Sequence, residues 1–435
     1  MNFNANTFCI MPWSSIQINP SGDFKVCCFS GSNNPEEKIQ KTAYDENKVV
    51  MNILTHSIEE AMNSVIHKEL RLHQSQNLRH PHCDVCWKRD DANARMDHHT
   101  NSLRNYRSFV QLRNEDNAVN MRSAASLMKS DGSIDPIAIS LDLRFSNLCN
   151  MKCIMCGPQY SSLWYEDYTK MNETDTYTVG SKEYKIYKEN NVYKSNTPKW
   201  HDTPEWWDQF ERIKKHVRHI YLTGGEPFLV PAHDKLLDNL IESSLANKII
   251  LEYDTNLSVY NDKIISRLSQ FRQVILSVSC DDVGDRYELI RYPGKFERLT
   301  TNLSKIKDRF EIRHLSTCVG IHSLYSPLRL HEYFNPLGYN KFSVRILRSP
   351  SYQDIAYLPR HIKEQVLDEY EKSPAPISSK ALVMGYLHNN MNTYDEEKCL
   401  SMCRVFINNM DRLDALRNTN WRSTFPEIAN LLRNI

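Results

Sequence analysis

Three cysteines fall within eight residues of "LDLRFSNLCNMKCIMCGPQYSS", residues 141–162, where Cys149, Cys153 and Cys156 are spaced C-x3-C-x2-C. Thiolates at such density point to metal ligation. A structural zinc ion takes four protein ligands, yet the next histidine after Cys156 is His201. Three thiolates on one short loop suit three irons of a four-iron, four-sulfur cluster, whose full protein ligation would need a fourth cysteine. The remaining iron is then open to chelate a small molecule. Further on, "YLTGGEPFL" (221–229) places Gly224 and Gly225 before Glu226. The glycines let backbone approach a ligand closely, and the carboxylate suits an ammonium group. An amino acid's amino end would fit there. Alone, GGEP is an ordinary strand-to-helix turn; one strand after the cysteine loop it becomes informative.

These residues need a scaffold. From Pro136 onward, strand-like runs recur with helical stretches between several of them: "IAISLDLRF", "HIYLTGG", "KIILEYDT", "QVILSVSCDD", "HLSTCVGIHS" and "KFSVRILRS". Such alternation predicts βα units and a parallel sheet. Six strands are fewer than the eight of a closed barrel, so an open, partial barrel is expected, with chemistry at the C-terminal ends of its strands. The cysteine loop follows the first strand and GGEP the second. The chain divides into a cysteine-rich region over 1–108, a polar linker over 109–135, a barrel over 136–360 with a Tyr-rich insertion at 160–200, and a mainly helical tail over 361–435 interrupted at its prolines. In the first region "SIEEAMNSVIHKELRLHQSQ" has helical spacing at Ile58, Met62, Val65, Ile66 and Leu70.

Composition narrows the function classes. The chain has 435 residues, with 54 Lys plus Arg against 53 Asp plus Glu, so no bulk charge favours general binding to nucleic acid or to an anionic membrane. The N-terminus lacks a basic region followed by an apolar run, and no segment approaches the roughly 20 apolar residues of a membrane span. A cytoplasmic protein is expected. Its 12 cysteines, several tightly clustered, fit metal ligation in a reducing compartment better than a disulfide framework.

Together the cysteine loop and GGEP resemble the radical S-adenosylmethionine enzymes, over most of the chain. The resemblance implies an α/β fold, a partial (β/α)6 barrel. It implies Cys149, Cys153 and Cys156 as ligands of a cluster whose open iron binds S-adenosylmethionine, and Gly224, Gly225 and Glu226 beside the methionine amino group. It implies reductive cleavage to a 5′-deoxyadenosyl radical that abstracts a substrate hydrogen. It implies polar contacts to ribose or carboxylate at the end of the fourth strand, on Ser277, Ser279 or Asp281, and Arg291 in "ELIRYPG" resembles an arginine that meets the carboxylate in related enzymes. Polar strand-end residues and a surface arginine are the plain alternative for these four. Met155 stands where many members carry an aromatic residue, and keeps an apolar cover for adenine. An electron donor such as flavodoxin or ferredoxin is implied as a partner. No catalytic acid, base or nucleophile is assigned.

A second thiol set lies near the N-terminus. Cys9, Cys27, Cys83 and Cys86 form C-x17-C-x55-C-x2-C, four thiolates that close either a zinc tetrahedron or a fully protein-ligated iron–sulfur cluster. The run from "CIMPW" through "PSG" to "CC", a helix, then "CDVC" looks like a twitch module, the shorter relative of SPASM domains, here preceding the barrel. That likeness favours a second four-iron cluster. Cys27 is preferred to Cys28 on spacing, and His80 and His82 are read as loop residues. Cys399 and Cys403 are expected to pack in a core, Cys280 and Cys318 are strand-end thiols whose direction is open, and the Tyr-rich insertion either covers the barrel mouth or packs on itself. The expected function is hydrogen abstraction from a peptide or protein substrate, with oxidation of a small alcohol as the alternative. A non-catalytic, zinc-stabilised binding protein is the alternative of another class.

Overall fold

The computed structural model describes residues 7–30, 42–87, 126–179 and 182–435. Two short strands come first, β1 (Ser15–Ile18) and β2 (Phe24–Lys25). Then follow β3 (Ser140–Leu143), the insertion strands β4 (Thr176–Val179), β5 (Lys182–Glu189) and β6 (Val192–Ser195), and β7 (His219–Leu222). The last four are β8 (Ile250–Thr255), β9 (Gln273–Ser279), β10 (Glu311–Val319) and β11 (Phe342–Ile346). All six strands expected from alternation are present, as β3 and β7–β11, mutually parallel, each followed by helical segments. They form a partial (β/α)6 barrel.

The sheet is wider than six strands, running β11-β10-β9-β8-β7-β3-β1-β2. β1 pairs parallel with β3, Ser15 to Ser140 through Ile18 to Leu143, so the N-terminal cysteine region joins the sheet at the barrel's first strand. That strand-by-strand union shows how a module that precedes the barrel in sequence still reaches it. Arg71 locks the region's interior: its guanidinium donates to Pro12 O, Gly132 O, Met62 O and Asn63 Oδ1. The helix expected there is two, Ile58–Ala61 and Val65–Ser75, the first closed by a capping box of Ser57 and Glu60.

Alternation sorts the sheet into two chemistries. Ile16, Ile18, Leu141, Leu143, Ile220, Leu222, Leu251, Tyr253, Val274, Leu276 and Val278 join one core with the covering helices, such as Phe296–Ile306, which buries Phe296, Leu299, Leu303 and Ile306. Losing one such leucine to alanine costs about 2–5 kcal/mol. The register-matched positions between them are Gln17, Asp142, Tyr221 and Glu252 in one row, then Asp254, Ser277 and His314. Strands covered on both faces usually read as apolar runs. A polar inner face marks this one as a lumen that does more than pack.

The Tyr-rich insertion is the helix Trp164–Asn172 followed by an antiparallel sheet β4-β5-β6. Tyr165, Tyr177, Tyr184 and Ile186 form its own small core, which is the packing-on-itself alternative. It also bridges outward: Asn147 Nδ2 donates to Tyr165 Oη at 2.6 Å, and Lys182 pairs with Asp23 at 3.0 Å. After β11 come the helices Arg360–Lys372, Ile377–Asn389 and Glu396–Arg417, the first two parted at Pro374 and Pro376. Cys399 and Cys403 are buried on the third, with Cys403 in the second core, which is the packing role expected of them. No helix among the described residues is long and apolar enough to cross a membrane.

Candidate active site

The cysteine loop is held from three sides. Its backbone is bonded to the segment after β9, Lys152 N to Tyr292 O at 2.6 Å and Ile154 N to Ile290 O at 2.8 Å. Trp164 Nε1 donates to Cys153 O at 2.9 Å and Gln353 Nε2 to Ile154 O at 3.1 Å. Lys152 reaches Asp167 at 2.6 Å, which in turn accepts from Arg417 at 2.8 Å, tying the loop to the C-terminal helices. The third side is GGEP, where Gly225 N donates to Ser146 O at 3.0 Å and Glu226 N to Leu148 O at 2.7 Å.

This contact changes the account of the glycines. A Cβ on Gly225 would stand 2.1 Å from Leu148 O, and one on Gly224, whose φ is +127°, 2.8 Å from Ser146 O. Both glycines are required, and the backbone they admit is that of the cysteine loop. Glu226 is fully buried; its carboxylate accepts from Thr255 Oγ1 at 2.7 Å and Asn256 N at 2.8 Å. Burial pushes its carboxyl up to about 7, against hydrogen bonds from Thr255, Asn256 and Phe228 and the field of Arg291. Glu226 thus fastens the loop after β8 to GGEP, and Asn256 of that loop donates to Asn150 Oδ1 at 3.0 Å and stands 3.9 Å from Cys149 Sγ. Sequence reasoning missed Thr255 and Asn256. "YDTNLS" is a polar cluster at a strand's C-terminal end, the signal used for the fourth strand.

Arg291 and Asp281 come together, Nε to Oδ2 at 2.7 Å, and Arg291 Nη1 lies 3.9 Å from Cys153 Sγ. Asp281 is fully buried and the Arg291 side chain is 11% exposed, so the surface-arginine alternative falls away. Asp281 Oδ1 accepts from Cys318 N at 2.7 Å. Ser277 is buried on the inner row, Ser279 at the end of β9 is half-buried, and Met155 is half-buried against the second core. The strand-end thiols separate: Cys280 is buried in the outer core, whereas Cys318 is the register partner of Arg345.

Burial pushes the Cys149 thiol up to about 12, followed by the charges of Cys153 and Glu226. A hydrogen bond with Cys153 and then burial push Cys156 up, while the same bond pulls Cys153 down. Cys149 and Cys156 raised and Cys153 lowered in one low-dielectric loop, with Arg291 as the cation that favours the thiolate of all three, suit a polycationic group that takes all three as thiolates. In the N-terminal region Cys9, Cys27 and Cys83 pack against the main core, and Cys86 follows one turn after Cys83 and is half-buried. Cys28 lies within electrostatic reach of Arg144 and Tyr221 on the inner face. His82 is buried against Ser30 rather than looped out. Among the described residues no three His, Cys, Asp or Glu side chains are gathered as closely as one metal ion would hold them.

Comparison with known proteins gives two family matches. Residues 143–324 match the radical SAM superfamily and residues 9–87 an iron–sulfur cluster-binding domain, SPASM. No curated protein matches. Among solved structures, native anSMEcpe with bound AdoMet is similar at 17% identity and a TM-score of 0.37, over 54% of this chain and 61% of that one. Streptococcus suis SuiB bound to precursor peptide SuiA is similar at 12% identity and a TM-score of 0.37, over 79% and 66%. The chain spans less than two thirds of the length of these structures.

Proposed function

We propose that this chain, which belongs to the radical S-adenosylmethionine superfamily and carries an iron–sulfur module at its N-terminus, removes a hydrogen atom from a carbon of a peptide or protein substrate held in the barrel lumen. Cys149, Cys153 and Cys156 would hold the cluster that binds S-adenosylmethionine, and Cys9, Cys27, Cys83 and Cys86 the auxiliary one. When bound, cluster and S-adenosylmethionine together supply the electron and the radical source that make an unactivated C–H bond reactive.

The protein's own residues position and enclose. Glu226, within electrostatic reach of Cys149, and Arg291, beside Cys153, offer a carboxylate and a guanidinium to the amino and carboxylate ends of the cofactor's methionine moiety. Asp281 orients Arg291 by its ion pair. Thr255 and Asn256 hold Glu226 in place. Trp164, Gln353 and Arg417 pack the loop against the C-terminal region, which keeps water from a reactive radical.

The observation that carries this reading is the pairing of β1 with β3. It makes the auxiliary module a wall of the same lumen, so a substrate there lies between two thiol sets. The sheet is open, with β11 and β2 at its edges, and a lumen open at one side admits an extended chain. The test is anaerobic incubation of the loaded enzyme, reductant and S-adenosylmethionine with a perdeuterated peptide pool. Deuterium in the 5′-deoxyadenosine is expected. Label arising only from deuterated small alcohols would move the activity to the alternative class.

A further inference from the structure

The inner face carries charged groups that neither the cysteine loop nor its supports use. Arg144 directly follows β3, and the one hydrogen bond of its side chain among the described residues, Nε to Asp142 Oδ1, is 3.4 Å long. Arg345 on β11 stands 3.8 Å from Asp254 Oδ2, beyond hydrogen-bond length, and Tyr221 Oη donates to that oxygen at 2.7 Å. Elsewhere two arginines are held by carboxylates: Arg267 grips Asp238 with two bonds of 2.6 Å, and Arg329 grips Asp282. A guanidinium has five donors in a planar fork, and on this wall almost all of them are unused among the described residues.

Two further residues face the same wall from the auxiliary module. Gln17 and Lys25 are register partners on β1 and β2, and Gln17 is also the register partner of Asp142. Gln17 is 2% exposed, and its side-chain amide oxygen has no hydrogen-bond partner among the described residues. Lys25 lies within electrostatic reach of Arg144, Asp142 and Cys28. Tyr221 and Cys28 lie within such reach of both Arg144 and Arg345, and Cys318 within reach of Arg345. Lys25, Arg144 and Arg345 therefore meet two carboxylates, Asp142 and Asp254, on a wall between the two thiol sets, while Glu252 of the same inner row is paired with Arg313. An exposed arginine is ordinarily a solvated surface group, and the Arg345 side chain is 51% exposed. What sets it apart is its place opposite Cys318 on the inner face.

We propose that this wall is the substrate-recognition site, that Arg144 and Arg345 clamp a carboxylate of the substrate, and that Gln17 and Lys25 complete the contact from the auxiliary module. The inference rests on the peptide reading and narrows it to an acidic substrate, one carrying its carboxylate on an Asp or Glu side chain or at the chain's C-terminus. Planar carboxylate against planar fork is the bidentate match arginine makes best. The buried Gln17 amide meets a peptide group, since it offers an acceptor and a donor.

Equilibrium binding to the cluster-loaded, S-adenosylmethionine-bound protein tests this with four probes. They are glutarate, an acetylated and amidated tetrapeptide containing Glu, its Gln counterpart, and the Gln peptide with a free C-terminus. Glutarate and at least one acidic peptide should bind at least tenfold more tightly than the neutral peptide, and the Glu and free-terminus arms identify the source of the carboxylate. Arg345→Gln and Arg144→Gln should each weaken acidic binding by about tenfold, the scale of one charged hydrogen bond. Arg345 makes no hydrogen bond among the described residues that a glutamine would break, so its variant stays folded. Equal affinity for neutral and acidic peptides would overturn the wall assignment while leaving the peptide reading standing. Glutarate binding that depends on the two arginines, with no peptide bound, would support the wall and end the peptide reading. Binding of none of the probes, or acidic binding unchanged in both variants, would overturn the proposal.

Discussion

Replacing Glu226 by glutamine in the metal-free, reduced protein isolates one buried ionisation. Burial raises the Glu226 carboxyl from an ordinary 4.5 to about 7. A folded pKa above the unfolded one means that the native state holds a proton the unfolded state releases. The stability this confers is complete below about pH 4.5 and lost as pH rises through about 7. At 1.36 kcal/mol per pKa unit the loss amounts to ~3 kcal/mol. A glutamine at this position cannot ionise, so the variant escapes that loss. It carries its own fixed cost at every pH, because an amide NH2 accepts no hydrogen bond, whereas both carboxyl oxygens, protonated or not, keep acceptor capacity for Thr255 Oγ1 and Asn256 N; one buried donor left unpaired costs about 1–3 kcal/mol. Urea unfolding at pH 5, 6, 7 and 8 is the assay. The variant should be the weaker protein at pH 5, and the gap should close by up to ~3 kcal/mol by pH 8. Parallel pH profiles for the two proteins would refute the buried, proton-holding Glu226.

Changing Cys83 and Cys86 to Ala should lower bound iron by about four per chain and abolish substrate turnover while slow, uncoupled 5′-deoxyadenosine formation survives. A folded variant that keeps its iron, or loses zinc instead, would exclude the auxiliary cluster. Arg71→Gln should destabilise the N-terminal module by about 3 kcal/mol, since carbonyls of Pro12, Met62 and Gly132 lose a charged donor. Hydrogen exchange should rise over 58–75 with β7–β10 unchanged, and uniform exchange along the chain would contradict a local lock.

The barrel was legible because each of its strands carries an outward apolar row and is followed by a helical stretch. β1 and β2 were not: β2 has two residues, β1 leads into β2 with no helical stretch after it, and the partner of Ile16, Leu141, is far along the chain. The β4–β6 sheet hid in the polar run "KEYKIYKE", whose buried Tyr184 and Ile186 belong to the insertion's own small core. At the site, spacing identified the cysteine loop and GGEP but not what joins them. That Gly225 is needed against Leu148 O, and that Glu226 is anchored by Thr255 and Asn256, are tertiary facts between segments far apart in sequence, with no local pattern to reveal them. The directions of Cys280 and Cys318 likewise waited on strand register.

The central claim, that Cys149, Cys153 and Cys156 hold the cluster which activates S-adenosylmethionine, is tested most directly by measuring 5′-deoxyadenosine from anaerobically reconstituted, reduced protein and its triple alanine variant. The parent should form 5′-deoxyadenosine and methionine in equal amounts, and the variant should form neither and hold about four fewer irons per chain. A triple variant that makes 5′-deoxyadenosine at the parent's rate would contradict the account.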